Sequence, residues 1–207
     1  MRLIGMLDSP YVRRVAIGLR LLGLKFEHEP LSVFRTFDQF HAINPVVKAP
    51  TLVCDDGTVL MDSNLILEYA QALAQRSLLP QGLPERTADL RLTGLALAAC
   101  EKSVQIIYER NLRPAAKQHE PWVTRITGQM LAAFGGLEAM LAQRPPAAAA
   151  EAMTQGGLIT AVTWHFTQQM LPQLVPPPRH PALSRFSAAA ESTAAFQAAP
   201  HGSGTVR

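Results

Sequence analysis

A serine, a proline and a tyrosine stand together where a short apolar segment gives way to a helical pattern. Residues 3–7 are apolar apart from a glycine, and Ser9-Pro10-Tyr11 follows them. Apolar side chains then recur at the spacing of one helix face, at Val12, Val15, Ala16, Leu19 and Leu22. Three basic residues fall off that face: Arg13, Arg14 and Arg20. Ser9 is a favoured N-cap and Pro10 a favoured first residue, so we expect a strand, a tight turn and a helix closed by Gly23.

The start of this helix is suited to a negatively charged group. Its first N–H groups have no partner within the helix, and the helix dipole adds about half a positive charge. The dipole and a hydrogen bond from Ser9 together can lower the pKa of a thiol by about one to three units from about 8.5. Ser9 is therefore a candidate for stabilising a thiolate, with a purely capping role as the alternative. Tyr11 is a rival donor, with a structural or substrate-binding role as its alternative.

Composition favours a soluble, cytoplasmic protein with a real core. Hydrophobic residues make up 48% of the 207 residues, and no apolar run is long enough to cross a bilayer. The net charge is +3 with scattered basic residues, so we expect neither a nucleic acid nor a membrane partner. Cys54 and Cys100 lie far apart and indicate neither a metal site nor a disulfide framework.

The order of the elements predicts two domains. Residues 1–76 carry the pattern β-α-β-α-β-β-α, which is typical of an α/β unit with a mixed sheet. The turn signal Asp55-Asp56-Gly57 separates the last two strands. Residues 77–84 contain two prolines and a glycine and predict a linker. Residues 85–200 carry helical patterns only, and we expect residues 201–207 to form a frayed tail.

Three separated motifs then agree: Ser9-Pro10, Asn44-Pro45-x-x-Lys48-Ala49-Pro50, and Asp62-Ser63. With the α/β-then-helical layout, the sequence resembles a bacterial glutathione S-transferase over essentially residues 1–200. The form Ser-Pro-Tyr-x-Arg-Arg-Val resembles a subgroup with serine at the catalytic position. The resemblance implies a thioredoxin-like N-terminal domain followed by an all-α domain that takes the second substrate.

The resemblance also implies a glutathione site. Ser9 would donate its hydroxyl to the glutathione thiolate, and Lys48 would approach the glycyl end. The backbone of Ala49 would pair with the cysteinyl part, and Pro50 would be cis. The pair Asp62-Ser63 would hold the γ-glutamyl group. The structural alternatives are that Lys48 is only an exposed lysine, that Pro50 only starts a strand, and that Asp62-Ser63 only caps a helix.

The second substrate would be a small hydrophobic electrophile. Candidate pocket residues are Tyr11, Ser103, Ile107, Tyr108 and Trp164, with a core position as the alternative for the tryptophan. Family members are usually homodimers, so we expect one here, with the third and fourth helices at the interface. No metal site is expected.

Two features limit this interpretation. Ser9-Pro10-Tyr11-Val12 occupies the place where glutaredoxins carry Cys-Pro-Tyr-Cys, so dithiol exchange by that route is excluded. The family usually starts a buried helix with Ser/Thr-x-x-Asp, but here Gly157 follows Thr154 at the aspartate position. We expect this helix start to be weakened and Gly157→Asp to raise Tm. A non-catalytic binding or regulatory protein and a glutathione-dependent isomerase or dehalogenase remain alternatives to a transferase.

Overall fold

The computed structural model describes residues 1–206 and divides them into two compact units. The first contains residues 1–78 and two later segments, residues 149–153 and the chain from Ser192 onward. The second contains residues 79–148 and 154–191.

The first unit is built on a mixed four-stranded sheet. Its strands are β1 (Arg2–Ile4), β2 (Glu27–Glu29), β3 (Thr51–Val53) and β4 (Val59–Met61), in the order β2-β1-β3-β4. Strand β1 pairs parallel with β2 and antiparallel with β3, which pairs antiparallel with β4. The apolar residues Leu3, Ile4 and Leu52 of the two central strands are fully buried. The helices are α1 (Pro10–Leu21), α2 (Phe37–Ile43) and α3 (Ser63–Ala74), which confirms the predicted element order.

Helix α1 is buried on nearly all sides, which the sequence pattern did not indicate. It packs against β1, α3 and a short helix from the end of the chain. Of the three basic residues off its apolar face, Arg20 is exposed, but Arg13 and Arg14 are 1% and 0% exposed. The helix ends before Gly23, whose φ of +73° is the left-handed conformation expected there.

The chain after Ser192 returns to α1. Its short helix packs against α1 through the fully buried Phe196, and Arg13 Nε donates to the carbonyl of Ala199 at 2.8 Å. Further on, the backbone N–H of Val206 donates to Nδ1 of His28 at 3.2 Å. The segment expected to fray therefore holds hydrogen-bonded residues, whereas Arg207 lies outside the described residues.

The second unit is helical, as expected. Its helices are α4 (Leu83–Asn111), α5 (Glu120–Gln143), α6 (Gln155–Met170) and α7 (Pro181–Glu191), and α4 packs against both α5 and α6. The helix α8 (Ala194–Gln197) belongs to the first unit. None of the helices within residues 1–206 combines the length and hydropathy needed to span a membrane.

The start of α6 is not the weak point that its sequence indicates. Thr154 caps it by accepting a hydrogen bond from the N–H of Gly157 at 3.1 Å. The carboxylate of Asp89, which reaches over from α4, accepts from the N–H of Gly156 at 3.1 and 3.2 Å. A Cβ on Gly156 would lie 2.8 Å from the carbonyl oxygen of Asp89, so glycine permits this close helix approach. An acid from another helix thus replaces the missing aspartate.

Candidate active site

Ser9 lies where the sequence predicts it, at the N-cap of α1. Its backbone is extended, with φ of −73° and ψ of 122°. Its Oγ accepts from the N–H of Val12 at 3.4 Å, which is long for such a bond. Because the oxygen only accepts there, the hydroxyl hydrogen is available for another acceptor. Half-buried at a helix start, Ser9 can donate to an anion.

Gly5 brings this helix start close to the loop before β3. A Cβ on Gly5 would lie 2.6 Å from Cγ2 of Val12 and 3.3 Å from Cβ of Ala49. The φ of +136° at Gly5 also disfavours any other residue. Val12 in the first turn of α1 and Ala49 therefore both lie against Gly5. Sequence reasoning passed over this residue, although a lone glycine within an apolar strand is a signal of close backbone approach.

The peptide bond between Ala49 and Pro50 is cis, which confirms that prediction. Ala49 lies just outside the β1–β3 ladder, whose last pair is Ile4 with Thr51. An extended ligand can therefore reach its amide and carbonyl. The predicted contact residue precedes the strand, as the motif requires.

A hydrogen-bond network holds the loop before Ala49. The buried Asn44 donates through Nδ2 to Oγ1 of Thr51 at 2.8 Å and accepts from the N–H of Val46 at 3.0 Å. Thr51 in turn donates to the carbonyl of Lys48 at 2.7 Å. Val47 has a left-handed φ of 52°, a strained conformation for a β-branched residue. The network thus fixes the backbone on either side of a strained residue.

Asp62 and Ser63 form the start of α3. Asp62 is the N-cap, with a φ of 73°, and its Oδ1 accepts from the N–H of Asn64 at 2.9 Å. Nζ of Lys48 lies 3.8 Å from Oδ2 of Asp62, and both side chains are about half exposed. A pair this exposed adds little to stability. It does bring two of the predicted site residues together and leaves a cation and an anion open to a zwitterionic ligand.

Arg14 links this second helix start to α1. Its Nη1 donates to Oγ of Ser63 at 3.2 Å and to Oδ1 of Asn64 at 2.7 Å. Ser63 is itself buried, with 3% of its surface exposed. Sequence reasoning missed Arg14 because its position off the apolar face of α1 does not reveal that α3 covers it.

Two other titratable groups of the first unit have pKa values that their surroundings shift. Burial lowers the pKa of His28, against the opposing effect of its hydrogen bond to the carbonyl of Gly5. A hydrogen bond with the buried Cys54 raises the pKa of Tyr69. Cys54 and Cys100 are both buried and are not joined in a disulfide. Within residues 1–206, no cluster of His, Cys, Asp or Glu side chains is arranged to hold a metal ion.

Two of the predicted pocket residues lie inside the packing of the second unit. Ser103 is fully buried; its Oγ donates to the carbonyl of Ala99 at 2.8 Å and lies 3.1 Å from Oγ1 of Thr167. Trp164 is 4% exposed and packs edge-on against Phe134. Their burial corrects the expectation that they line a pocket, because neither offers surface to a ligand.

The other three pocket candidates keep accessible surface. Tyr108 is 45% exposed, and Ile107 beside it in α4 is half-buried. Tyr11, in the first turn of α1, is also half-buried. These three therefore stay predictions for contacts with a second substrate.

Comparisons with known proteins agree with this geometry. Residues 3–77 match the family model for the N-terminal domain of glutathione S-transferases. A glutathione S-transferase from Methylobacterium radiotolerans, solved with glutathione sulfonate, is 26% identical with a TM-score of 0.84, over 95% of this chain and 92% of that one. The chain has the glutathione S-transferase fold. A glutathione transferase family member from Pseudomonas fluorescens, solved with bound glutathione, is 25% identical with a TM-score of 0.78, over 96% of this chain and 97% of that one.

Among curated relatives, the uncharacterised GST-like protein YibF of Escherichia coli is 29% identical over 126 residues, which cover 60% of this chain and 62% of YibF. The chain spans less than two thirds of the length of the curated relatives that it matches. These matches are similarities to glutathione S-transferases and to a GST-like protein. All six residues predicted to bind glutathione lie within the matched glutathione S-transferase segment, residues 3–77.

Proposed function

We propose that this protein is a glutathione transferase of the serine type. One observation carries the proposal: within one unit, Ser9 caps α1, Ser63 starts α3, and Gly5 is in close contact with both Val12 of the first turn of α1 and Ala49. Such a unit offers two helix N-termini and an open backbone segment to one small peptide. The two related structures that hold glutathione or its sulfonate support that peptide as the co-substrate.

Each part of glutathione has a proposed partner. Ser63 and the first amides of α3 bind the γ-glutamyl α-carboxylate, and Asp62 binds or orients its ammonium group. The backbone of Ala49, held by the cis Pro50, pairs with the cysteinyl part. Lys48 attracts the glycyl carboxylate. Because Lys48 already lies near Asp62, the two charged ends of the ligand compete with an existing but weak ion pair.

Ser9 supplies the proposed chemistry. The glutathione thiol loses its proton to solvent, and the thiolate accepts a hydrogen bond from the Ser9 hydroxyl in front of α1. The sulfur lone pair then forms a bond to the carbon of a hydrophobic electrophile, and a leaving group, where there is one, departs with its bonding electrons. Tyr11, in the same helix turn as the start of α1, is the proposed contact for that electrophile in this unit.

The proposed functional form is a cytoplasmic homodimer. Three apolar side chains of β4 and α3 are exposed in the single chain: Val59, Leu65 and Leu73. Buried in a dimer, they would lose this contact with water. A monomeric mass in solution would contradict the dimer. Cys54 and Cys100, which are buried and not joined in a disulfide, fit a reducing compartment.

The test is glutathione binding combined with conjugation of a generic aromatic electrophile. We expect millimolar glutathione to bind, with a lowered pKa of the bound thiol in an ultraviolet titration. Ser9→Ala should lower kcat by about 10²-fold with little change in affinity, as expected for a donor that acts on developing charge. Thr36→Ala is the control, because Thr36 is at another helix start and its hydroxyl bonds to the backbone of Ser32 and does not cap the helix.

Each possible result excludes or identifies one of the alternative functions. Absence of binding would exclude the transferase as well as the isomerase or dehalogenase. Binding without turnover of any electrophile would identify a non-catalytic binding protein. Equal rates for Ser9→Ala and the wild type would transfer the donor role to Tyr11 or to backbone amides.

A further inference from the structure

Two consecutive residues of α1 carry buried charge. Arg13 is 1% exposed and Arg14 is 0% exposed. A guanidinium keeps its charge at every accessible pH, and its burial is costly unless hydrogen bonds and nearby charge compensate. Their described partners differ: Arg13 donates to the Ala199 carbonyl, while Arg14 donates to the first turn of α3. The same helix thus offers one arginine directed at the proposed glutathione site and one directed elsewhere.

The contacts of Arg14 determine how Ser63 can use its hydroxyl. A guanidinium has donors only, so Oγ of Ser63 is the acceptor of the 3.2 Å bond from Nη1. The hydrogen of that hydroxyl must therefore point to a different partner. Ser63 is left as a donor in front of α3. Asn64 is oriented in the same way, because its Oδ1 accepts from Nη1 at 2.7 Å.

The charge of Arg14 adds to the field at this helix start. The guanidinium donates to the side chains of the first two residues of α3, where the helix dipole is already positive. Since it is screened from solvent, its field reaches farther than that of a surface charge. A carboxylate in front of Ser63 would be attracted by the hydroxyl, the amides and the buried cation together.

We propose that Arg14 is a positioning residue that makes the start of α3 selective for the α-carboxylate of the γ-glutamyl group. It acts through Ser63 and Asn64, without direct contact with the ligand. This inference rests on the proposed function, because it assigns a basis of selectivity to the same site.

The experiment compares glutathione with γ-aminobutyryl-cysteinyl-glycine, which lacks only that carboxylate. Calorimetry measures both affinities for the wild type, Arg14→Met, Arg14→Lys and the control Arg13→Met. We expect Arg14→Met to weaken glutathione binding by about 10- to 100-fold and binding of the analogue by less than about threefold. Arg14→Lys, which keeps a charge but not the planar fork, should fall between. Arg13→Met should leave the ratio of the two affinities unchanged.

Kinetics adds a second readout. With Arg14→Met, KM for glutathione should rise while kcat at saturation stays within about threefold, because Ser9 is unaffected.

Where Arg14→Met does not fold, Arg14→Lys carries the test. If Arg14→Met loses equal affinity for glutathione and for the analogue, its preference for glutathione is unchanged, and the role of Arg14 alone is overturned. If the wild type binds glutathione no better than the analogue, the carboxylate selectivity itself is overturned. If the wild type binds neither peptide, the proposed function fails as well.

Discussion

The two units use the starts of their helices differently. In the first, α1 and α3 are capped by their own preceding residues, Ser9 and Asp62. In the second, an acid from another helix binds N–H groups at the starts of α6 and α7, in addition to the Thr154 cap of α6. Asp89 accepts from the N–H of Gly156, and Glu138 accepts from two consecutive N–H groups of α7 at 2.8 and 2.9 Å. A helix start that already binds an internal carboxylate contributes to stability, whereas one capped by its own neighbour can still receive an anionic ligand.

The strongest way to break this contrast is to remove the internal carboxylate at α6. We expect Asp89→Ala to lower the free energy of unfolding by about 2–3 kcal/mol, since a buried N–H group loses its acceptor. Asp89→Asn is the matched control, because its amide oxygen can still accept from Gly156. Burial also raises the pKa of Asp89, so the neutral asparagine avoids a desolvation cost. Chemical denaturation of both variants checks this, and equal losses would contradict it.

A second change distinguishes an occupied helix start from an open one. The sequence predicted that Gly157→Asp would raise Tm, but Asp89 already places a carboxylate at that helix start. We now expect no gain in the wild type, because two carboxylates would repel each other there. In the Asp89→Ala background, Gly157→Asp should recover about 1 kcal/mol. A double-mutant cycle by thermal unfolding measures this, and identical effects in both backgrounds would count against the coupling.

A smaller effect is the pH dependence of stability, which we expect to depend on a histidine of the first unit. His28 of the first unit donates through Nε2 to Gly5 and accepts at Nδ1 from Val206, so it must be neutral. Burial lowers its pKa. The unfolded chain then binds a proton below about pH 6.5 before the folded chain does. The stability from this group is therefore present above that pH and is lost as pH falls through the folded-state pKa.

The measurement is Tm between pH 7.5 and 5.5. His28→Asn should reduce the fall in Tm across this range, while the exposed His119 serves as the control through His119→Asn. A fall in Tm that is as steep in His28→Asn as in the wild type would contradict this role of His28.

Local features of the site were predictable because each depends on neighbours in the chain. The residue types of Ser9 and Pro10 predict a helix start, and Gly23 predicts its end. The cis bond at Pro50 followed from a resemblance to a family, which no spacing rule would have supplied. Contacts between distant segments were not predictable: Ser103 and Trp164 occupy positions whose burial depends on which helices cover α4 and α6.

By itself, the sequence determined the order of the strands and helices, the capped start of α1 and the motif around Ala49, since these depend on short-range backbone preferences and apolar periodicity. Only the tertiary structure decided that Arg14 is covered by α3, that Arg13 bonds the returning end of the chain, and that Asp89 closes α6. The physical reason is that periodicity reports which side of a helix is apolar. It does not report how many sides are covered, nor which distant polar group satisfies a buried charge or N–H group.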